Sequence, residues 1–346
     1  MSTVDFEQLH RRYRPEIEQA LQRYVPKGDG ILGHFYGMLH YHLGWTDEKL
    51  RPVNAKAGKR LRPTLCLASC ETAGGDYRRA LPAAAALELL HNYSLIHDDI
   101  EDNSETRRHR LTVWKIWGQA MAINAGDGLC TLARMAILDL PQAGVDRAVA
   151  LEAARLLDRT SLNLCEGQHL DMAFETMPSI TANLYTEMIS KKTASLVACS
   201  AQIGALVASG DVRRSEPFRE FGHLIGMAFQ VQDDVLGIWG AADVTGKGAT
   251  DIRQGKKTLP VVYALENAGS RDRATLLRLY DLQPLSDAHV VQVVEILDRC
   301  GARQFAESEA WRYYRAATAL LTSDGFRGQD IGNLKAIADF LVGRES

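Results

Sequence analysis

From residue 5 to residue 342 the apolar side chains return every three or four positions, and no stretch shows the strict alternation of a half-buried strand. Amphipathic runs fall near 5–24, 61–73, 79–102, 111–137, 145–172, 181–209, 216–238, 258–268, 272–281, 286–299, 302–322 and 327–342. Turn-rich breaks separate them: VPKGDG at 25–30, AGGD at 73–76, ETMPS at 175–179 and GAADVTGKGATDIRQGKK at 240–257. The last is the one long loop-like segment, and long loops in compact proteins tend to be functional. A chain patterned this way has only helices to pack. It reads as all-α, one domain over 1–346, a bundle of about a dozen helices.

Hydrophobic residues make up 46% of the chain, enough for an extensive core. Lys and Arg number 40 against 43 Asp and Glu, so no global basic field calls for nucleic acid, and anion binding must come from local clusters. The N-terminus, MSTVDFEQLHRRYRPEIEQ, is charged at once, without an apolar signal region. The longest uncharged stretch, TASLVACSAQIGALVASG at 193–210, reads as a buried helix rather than a membrane span. The six cysteines, 66, 70, 130, 165, 199 and 300, show no C-x-x-C pairing and suit reduced thiols in a cytoplasmic protein.

Against this background one segment breaks the rules. LIHDDIEDNSETRRHR at 95–110 ends an apolar run in Asp98, Asp99, Glu101 and Asp102. On a helix Asp98 and Asp102 share a face, and like charges at that spacing repel by a few tenths of a kcal/mol. Acids at a helix C-terminus also oppose the macrodipole, by ~0.3–1 kcal/mol each. Local rules broken together mark a functional site. A second Asp-Asp closes another apolar run in VQDDVLG at 231–237, and two such helices packed together would aim their acids at one cavity. Oxygen-only clusters without cysteine favour a hard cation, and Mg²⁺ binds through one or two carboxylates plus substrate phosphates. Phosphates would also account for the basic residues near helix ends and glycines: Lys59, Arg60, Arg62, Arg107, Arg108, Lys191, Lys192, Lys247, Lys256 and Lys257.

Other phosphate chemistries fail. The Walker spacing is absent, no G-x-G-x-x-G opens a helix and no G-x-S-x-G elbow occurs. His97-Asp98 as the metal pair of a helical phosphohydrolase would leave the second Asp-Asp, Gly58-Lys59-Arg60 and Lys192-Thr193 unexplained.

Taken together these residues closely resemble the trans-isoprenyl diphosphate synthases. The first aspartate-rich motif is DDIED at 98–102, followed by the Arg107-Arg108 pair; the second is FQVQDD at 229–234. GKRLRP at 58–63, EGQHLD at 166–171, KT at 192–193 and the GK…D…KK series at 247–257 fall in the family's order, and the match runs from about 50 to 265. The resemblance implies an isoprenoid synthase fold, helices around a deep central cavity, usually as a homodimer. It implies prenyl transfer from an allylic diphosphate to isopentenyl diphosphate. It also implies three Mg²⁺ ions, with Mn²⁺ an acceptable substitute, ligated by Asp98, Asp102 and Asp233. Asp99, Asp234 and Asp251 would stand just outside the direct ligands, supporting metal water and lysine positions. Arg107, Lys192, Lys247 and Lys256 would hold the allylic diphosphate; Gly58, Lys59, Arg62, His91 and Arg108 would hold isopentenyl diphosphate. Lys192, Thr193 and Gln230 would lie near the developing carbocation. No protein base is expected, since the family uses released pyrophosphate for the final proton. There are two departures. Gly237 stands where many members have a third Asp, and His109 and Leu111 replace the Gly and Pro common after the arginine pair.

One helical turn rises ~5.4 Å, close to one isoprene unit, so residues before the first motif act as a ruler. Tyr93 and Ser94 lie five and four positions before Asp98, and an aromatic at the fifth position resembles geranylgeranyl diphosphate synthases, with farnesyl diphosphate or a longer chain the alternatives. A class I terpene cyclase shares D-D-x-x-D but normally carries an N-D-x-x-S-x-x-x-E motif where this chain has QDDVLGIWG. A regulatory subunit would be expected to lose its metal aspartates, and both Asp-Asp pairs are intact.

Overall fold

The computed structural model describes residues 5–53, 55, 58–240, 250–282 and 285–343. Lys247 lies outside the described residues. The helices are α1 (Phe6–Tyr24), α2 (Gly30–His42), α3 (Leu61–Thr72), α4 (Leu81–Glu101), α5 (Val113–Trp117), α6 (Gln119–Leu138), α7 (Arg147–Thr176), α8 (Ala182–Ile189), α9 (Ser195–Ser209) and α10 (Val212–Trp239). The series ends with α11 (Thr250–Arg253), α12 (Leu259–Asn267), α13 (Ser270–Tyr280), α14 (Asp287–Arg299), α15 (Ala302–Leu320) and α16 (Gly332–Val342). One hairpin of two-residue strands, β1 (Thr106–Arg107) and β2 (Arg110–Leu111), is the only sheet among the described residues. The all-α reading is borne out. None of the six cysteines is in a disulfide, and no described helix is long and apolar enough to cross a membrane.

Four local expectations are corrected. A helix at 30–42 went unread. GILGHFYGMLHYH is apolar almost all round, and its glycines and histidines leave no stripe for a 3.6-residue period to reveal. The run expected over 111–137 begins as β2 and breaks at Gly118, whose φ of +86° separates α5 from α6. The run over 181–209 is interrupted by a π-helical turn, Ser190–Ala194. The last run starts at Gly332 rather than 327.

The chain forms two compact units. The first comprises 1–161, 199–219 and 325–337; the second comprises 162–198, 220–324 and 338–346. In the first, Asp5 caps α1 by accepting from the Gln8 N–H at 2.7 Å, and the helix buries Phe6, Leu9, Tyr13, Ile17 and Leu21 along one stripe. Ala83–Ala86 of α4 are fully buried, small side chains that let neighbouring helices approach. Gly204 of α9 rests on the Cys66 carbonyl of α3, so close that an added Cβ would overlap it. In the second unit, one core joins Val261, Leu265, Leu276, Leu279, Val293, Ile296 and Leu297 of α12–α14. A second joins Phe174, Tyr185, Met227, Val231, Val262, Ala306 and Ala310.

Candidate active site

The expected site residues form two groups, one within each unit. The first group is built on the end of α4. Asp98 lies in its last turn and Asp102 is the C-cap, whose N–H donates to the Asp98 carbonyl at 2.9 Å, so both carboxylates leave the same face. The chain then reverses through Asn103 at φ +50°, and the Ser104 N–H returns to the Asp99 carbonyl at 2.8 Å. The β1–β2 hairpin closes through Arg108 and His109, both left-handed at φ +52° and +62°, the two positive φ values of a type I′ turn.

That turn sends its arginines to different partners. Arg107 is tied back to α4: its Nε donates to Asp99 Oδ1 at 2.7 Å and its Nη2 to Asp98 Oδ2 at 2.9 Å. Asp99 is buried, and burial lifts its carboxyl to about 6 in spite of Arg107; it anchors the hairpin. Arg108 lies against Gly58, where an added Cβ would fall 2.9 Å from its Cζ; Gly58 itself holds φ +85°. The positive φ favours glycine there, and the flexible end of Arg108 packs over it.

Within GKRLRP the three basic residues divide. Lys59 is exposed, whereas Arg60 is buried at φ +44°. The Arg60 guanidinium donates to Glu18 of α1 at 2.9 Å, Glu88 of α4 at 2.8 Å and the Leu43 carbonyl at 3.1 Å, pinning the loop that carries Gly58 and Lys59. Arg62 falls to about 10 through burial, which Glu88 opposes and Arg108 reinforces. His91 is held well below 6.5 by burial and by Arg62, Arg108 and Arg107. His42, which sequence reasoning missed, is held low by burial and then by Arg108, Arg107, Arg60 and Arg110. A lone histidine at the end of an unread helix carried no signal. A recess of ≈330 Å³ is lined by Tyr41, His42, Asp99, Arg107, Arg108 and Arg110. Upstream, the Tyr93 ring meets His97 edge-on, with centroids 4.8 Å apart, and Ser94 Oγ donates to the His91 carbonyl at 2.9 Å.

The second group is built on α7, the π turn, α10 and the 251–258 segment. The π turn carries Lys191, Lys192 and Thr193. An added Cβ at Gly167 would overlap the Lys192 backbone, so this glycine lets α7 touch the turn. On either side of it Glu166 accepts from Lys191 Nζ and Asp171 accepts from Lys192 Nζ, both at 2.5 Å, which gives EGQHLD its physical meaning. Thr193 Oγ1 donates to Gln230 Oε1 at 2.6 Å, and Gln230 Nε2 donates to Asp234 Oδ1 at 2.9 Å. Asp234 is buried and also accepts from Tyr185 Oη at 2.5 Å and the Leu259 N–H at 2.9 Å. Burial lifts its carboxyl to about 7 against those donors. It is a structural clamp between α8, α10 and α12. Asp233, one position earlier, is exposed. Lys257 is turned inward, its Nζ donating to the Phe174 carbonyl at 2.6 Å. A pocket of ≈590 Å³ gathers Asp171, Lys192, Thr193, Gln230, Asp233, Asp251 and Lys256.

The donor set fits a hard divalent cation. The expected ligands are carboxylates alone, and no group of three or more His, Cys, Asp or Glu converges among the described residues. One or two protein carboxylates per ion, completed by water and substrate oxygens, is the pattern Mg²⁺ takes.

A family description, polyprenyl synthetase, matches residues 44–297. The (2E,6E)-farnesyl diphosphate synthase of Mycobacterium tuberculosis is 37% identical over 350 residues, covering 99% of this chain and 96% of that protein. The geranylgeranyl diphosphate synthase of the same species is 38% identical over 310 residues, 89% of this chain and 86% of that one. The crystal structure of a polyprenyl synthetase from Streptomyces coelicolor superposes with a TM-score of 0.87 at 35% identity, over 98% of this chain and 100% of that chain. With the aspartate motifs and the arginine hairpin in place, the match over 44–297 and identity across nearly the whole length place this chain in the polyprenyl synthetase family.

Proposed function

We propose that the chain is a short-chain trans-prenyltransferase. It condenses isopentenyl diphosphate with dimethylallyl, geranyl or farnesyl diphosphate, and its main product is geranylgeranyl diphosphate. The observation that carries this reading is a basic group, Arg62, His91 and Arg108 with Gly58, distinct from the Lys192 and Lys256 group. A reaction that joins two diphosphates needs two such sets; a cyclase acting on one diphosphate does not. Family membership, the two named relatives and the intact Asp-Asp pairs support it further.

Asp98, Asp102 and Asp233 would hold the Mg²⁺ ions, three in number, that serve the allylic diphosphate. When bound, the metal neutralises charge that builds on the leaving diphosphate. Lys192, Lys256 and Lys247 hold that group's oxygens, with Asp171 aiming Lys192. Lys59, Arg62, His91 and Arg108 orient isopentenyl diphosphate, which fixes its double bond toward the allylic C1. The C1–O bond breaks with its electron pair leaving on pyrophosphate. The new C–C bond forms from the isopentenyl double bond, and the proton lost from the adduct goes to pyrophosphate. Thr193 and Gln230, held together at 2.6 Å, offer oxygen dipoles toward the cationic carbon. Water must be excluded, since it would trap the cation as an alcohol.

The whole chain acts as one catalytic domain in the cytoplasm, a homodimer. The matched span includes residues of both units, and α6 exposes Met121, Ile123, Met135 and Leu138, an apolar face that a second copy would cover. Incubation with Mg²⁺, labelled isopentenyl diphosphate and each allylic primer tests the reading. An elongated diphosphate supports it; a released hydrocarbon, or activity only with a partner protein, overturns it. Asp98→Ala should abolish turnover, and near-normal activity would sink the metal assignment.

A further inference from the structure

A threonine on a helix ordinarily turns its hydroxyl back to a carbonyl one turn earlier. Thr64, Thr160 and Thr186 do so here, donating to the carbonyls of Arg60, Leu156 and Ala182. Thr193, in the π turn, donates sideways to Gln230 Oε1 instead. The direction of that bond has a source. The Leu259 N–H is a backbone group that can only donate, so Asp234 Oδ2 must accept from it at 2.9 Å. Tyr185 Oη gives its hydrogen to the same oxygen. Asp234 Oδ1 takes a hydrogen from Gln230 Nε2, which turns the amide so that its Oε1 faces Thr193. Thr193 must then be the donor. With its hydrogen committed, its oxygen has only lone pairs left for the pocket that it lines with Lys192, Gln230 and Asp233.

We infer that Asp234 is a positioning residue for the cationic step: through Gln230 it fixes the polarity of the Thr193 hydroxyl, so that lone pairs rather than a hydrogen meet the developing carbocation. The inference rests on the prenyl-transfer reading above and deepens it, giving Asp234 a task beyond clamping three helices. A neutral isostere would reverse the chain of hydrogen bonds. In Asp234→Asn the amide oxygen must stay with the Leu259 N–H and Tyr185, which puts the new NH₂ against Gln230. Gln230 then flips, its own NH₂ meets Thr193, and the threonine hydrogen is displaced toward the pocket. A dipole that favoured the cation now opposes it, with almost no change in shape.

The test is kinetics with Mg²⁺, isopentenyl diphosphate and geranyl diphosphate at about pH 8.5, above the value of about 7 to which burial lifts Asp234. Asp234→Asn should lower kcat about a hundredfold. Both KM values, and Mn²⁺ binding with pyrophosphate read by electron paramagnetic resonance, should stay within about threefold of the parent. Adding Gln230→Glu should restore much of the loss, because a carboxylate at 230 accepts from both sides and makes Thr193 the donor again. The double variant should outpace both Asp234→Asn and Gln230→Glu, the latter setting two acids face to face. In a Thr193→Val background Asp234→Asn should cost less than about threefold more, since no hydroxyl remains to orient. A double variant no faster than the better single one overturns the inference, as does a full loss in the valine background. Weakened Mn²⁺ binding in Asp234→Asn also overturns it, by making Asp234 a metal ligand. If the parent elongates nothing, or Thr193→Val turns over normally, the reading beneath falls instead. Far-UV circular dichroism on each variant confirms that the comparison is between folded proteins.

Discussion

Acidification offers a direct measure of how tightly cations crowd the first group. His42 and His91 are held well below 6.5 by burial first. Arg108, Arg107, Arg60 and Arg110 then act on His42, and Arg62, Arg108, Arg107 and His42 act on His91. A histidine with a depressed folded pKa binds fewer protons folded than unfolded. Its stabilising contribution is therefore complete above 6.5 and lost as pH falls through that value. With the folded values lowered, acidification to about pH 5.5, one unit below the unfolded value, costs the pair on the order of 3 kcal/mol. Asp99 and Asp234, raised to about 6 and about 7, work in the opposite sense, gaining stability as pH falls. Variants must therefore isolate the histidines. Urea unfolding of the parent and of His42→Asn/His91→Asn, at about pH 7.5 and 5.5, does so. The gap between the two proteins should move in favour of the variant by about 3 kcal/mol on acidification. Parallel losses would refute the argument, because they would mean the imidazoles accept protons in the folded state.

Three further outcomes are expected. Tyr93→Ala should lengthen the product, read by chromatography of the reaction mixture; unchanged chain length would remove Tyr93 from the ruler. Arg60→Met strands Glu88, which is only 2% exposed, and should cost about 3–5 kcal/mol in thermal or urea unfolding, with Glu88→Leu in the same chain recovering most of it. Gly204→Ala forces a methyl against the Cys66 carbonyl, a backbone atom with no rotamer to escape to, and should lower stability by about 1–3 kcal/mol in urea; a neutral result would mean α3 and α9 lie farther apart.

What was legible in the sequence was frustration. Asp98 and Asp102 could be read because a helix end crowded with acids is costly unless something else completes it. The amphipathic runs of α1 and α14 could be read because they keep one wet face. Features that depend on partners distant in sequence could not. Asp171 and Lys192 are 21 residues apart, and Tyr185 and Asp234 are 49 apart; alone, Tyr185 resembles any core aromatic. The hairpin was hidden because strands of two residues have no period, and its left-handed pair, Arg108-His109, lacks the glycine that usually announces such a turn. The approach of Asp251 to Gly237 is likewise invisible in one dimension.

The π turn at Ser190–Ala194 acts as a phase corrector. Tyr185 reaches Asp234 and Thr193 reaches Gln230, two points on the same side of α10. In an uninterrupted α-helix, eight residues overshoot two full turns by ~80°, which would carry one anchor off the shared side. The wider turn absorbs that overshoot. Deleting one residue from it would leave a more regular helix with stronger local hydrogen bonding, yet only one of the two anchors could stay in register. An enzyme broken in this way would look healthier by circular dichroism than the one it came from.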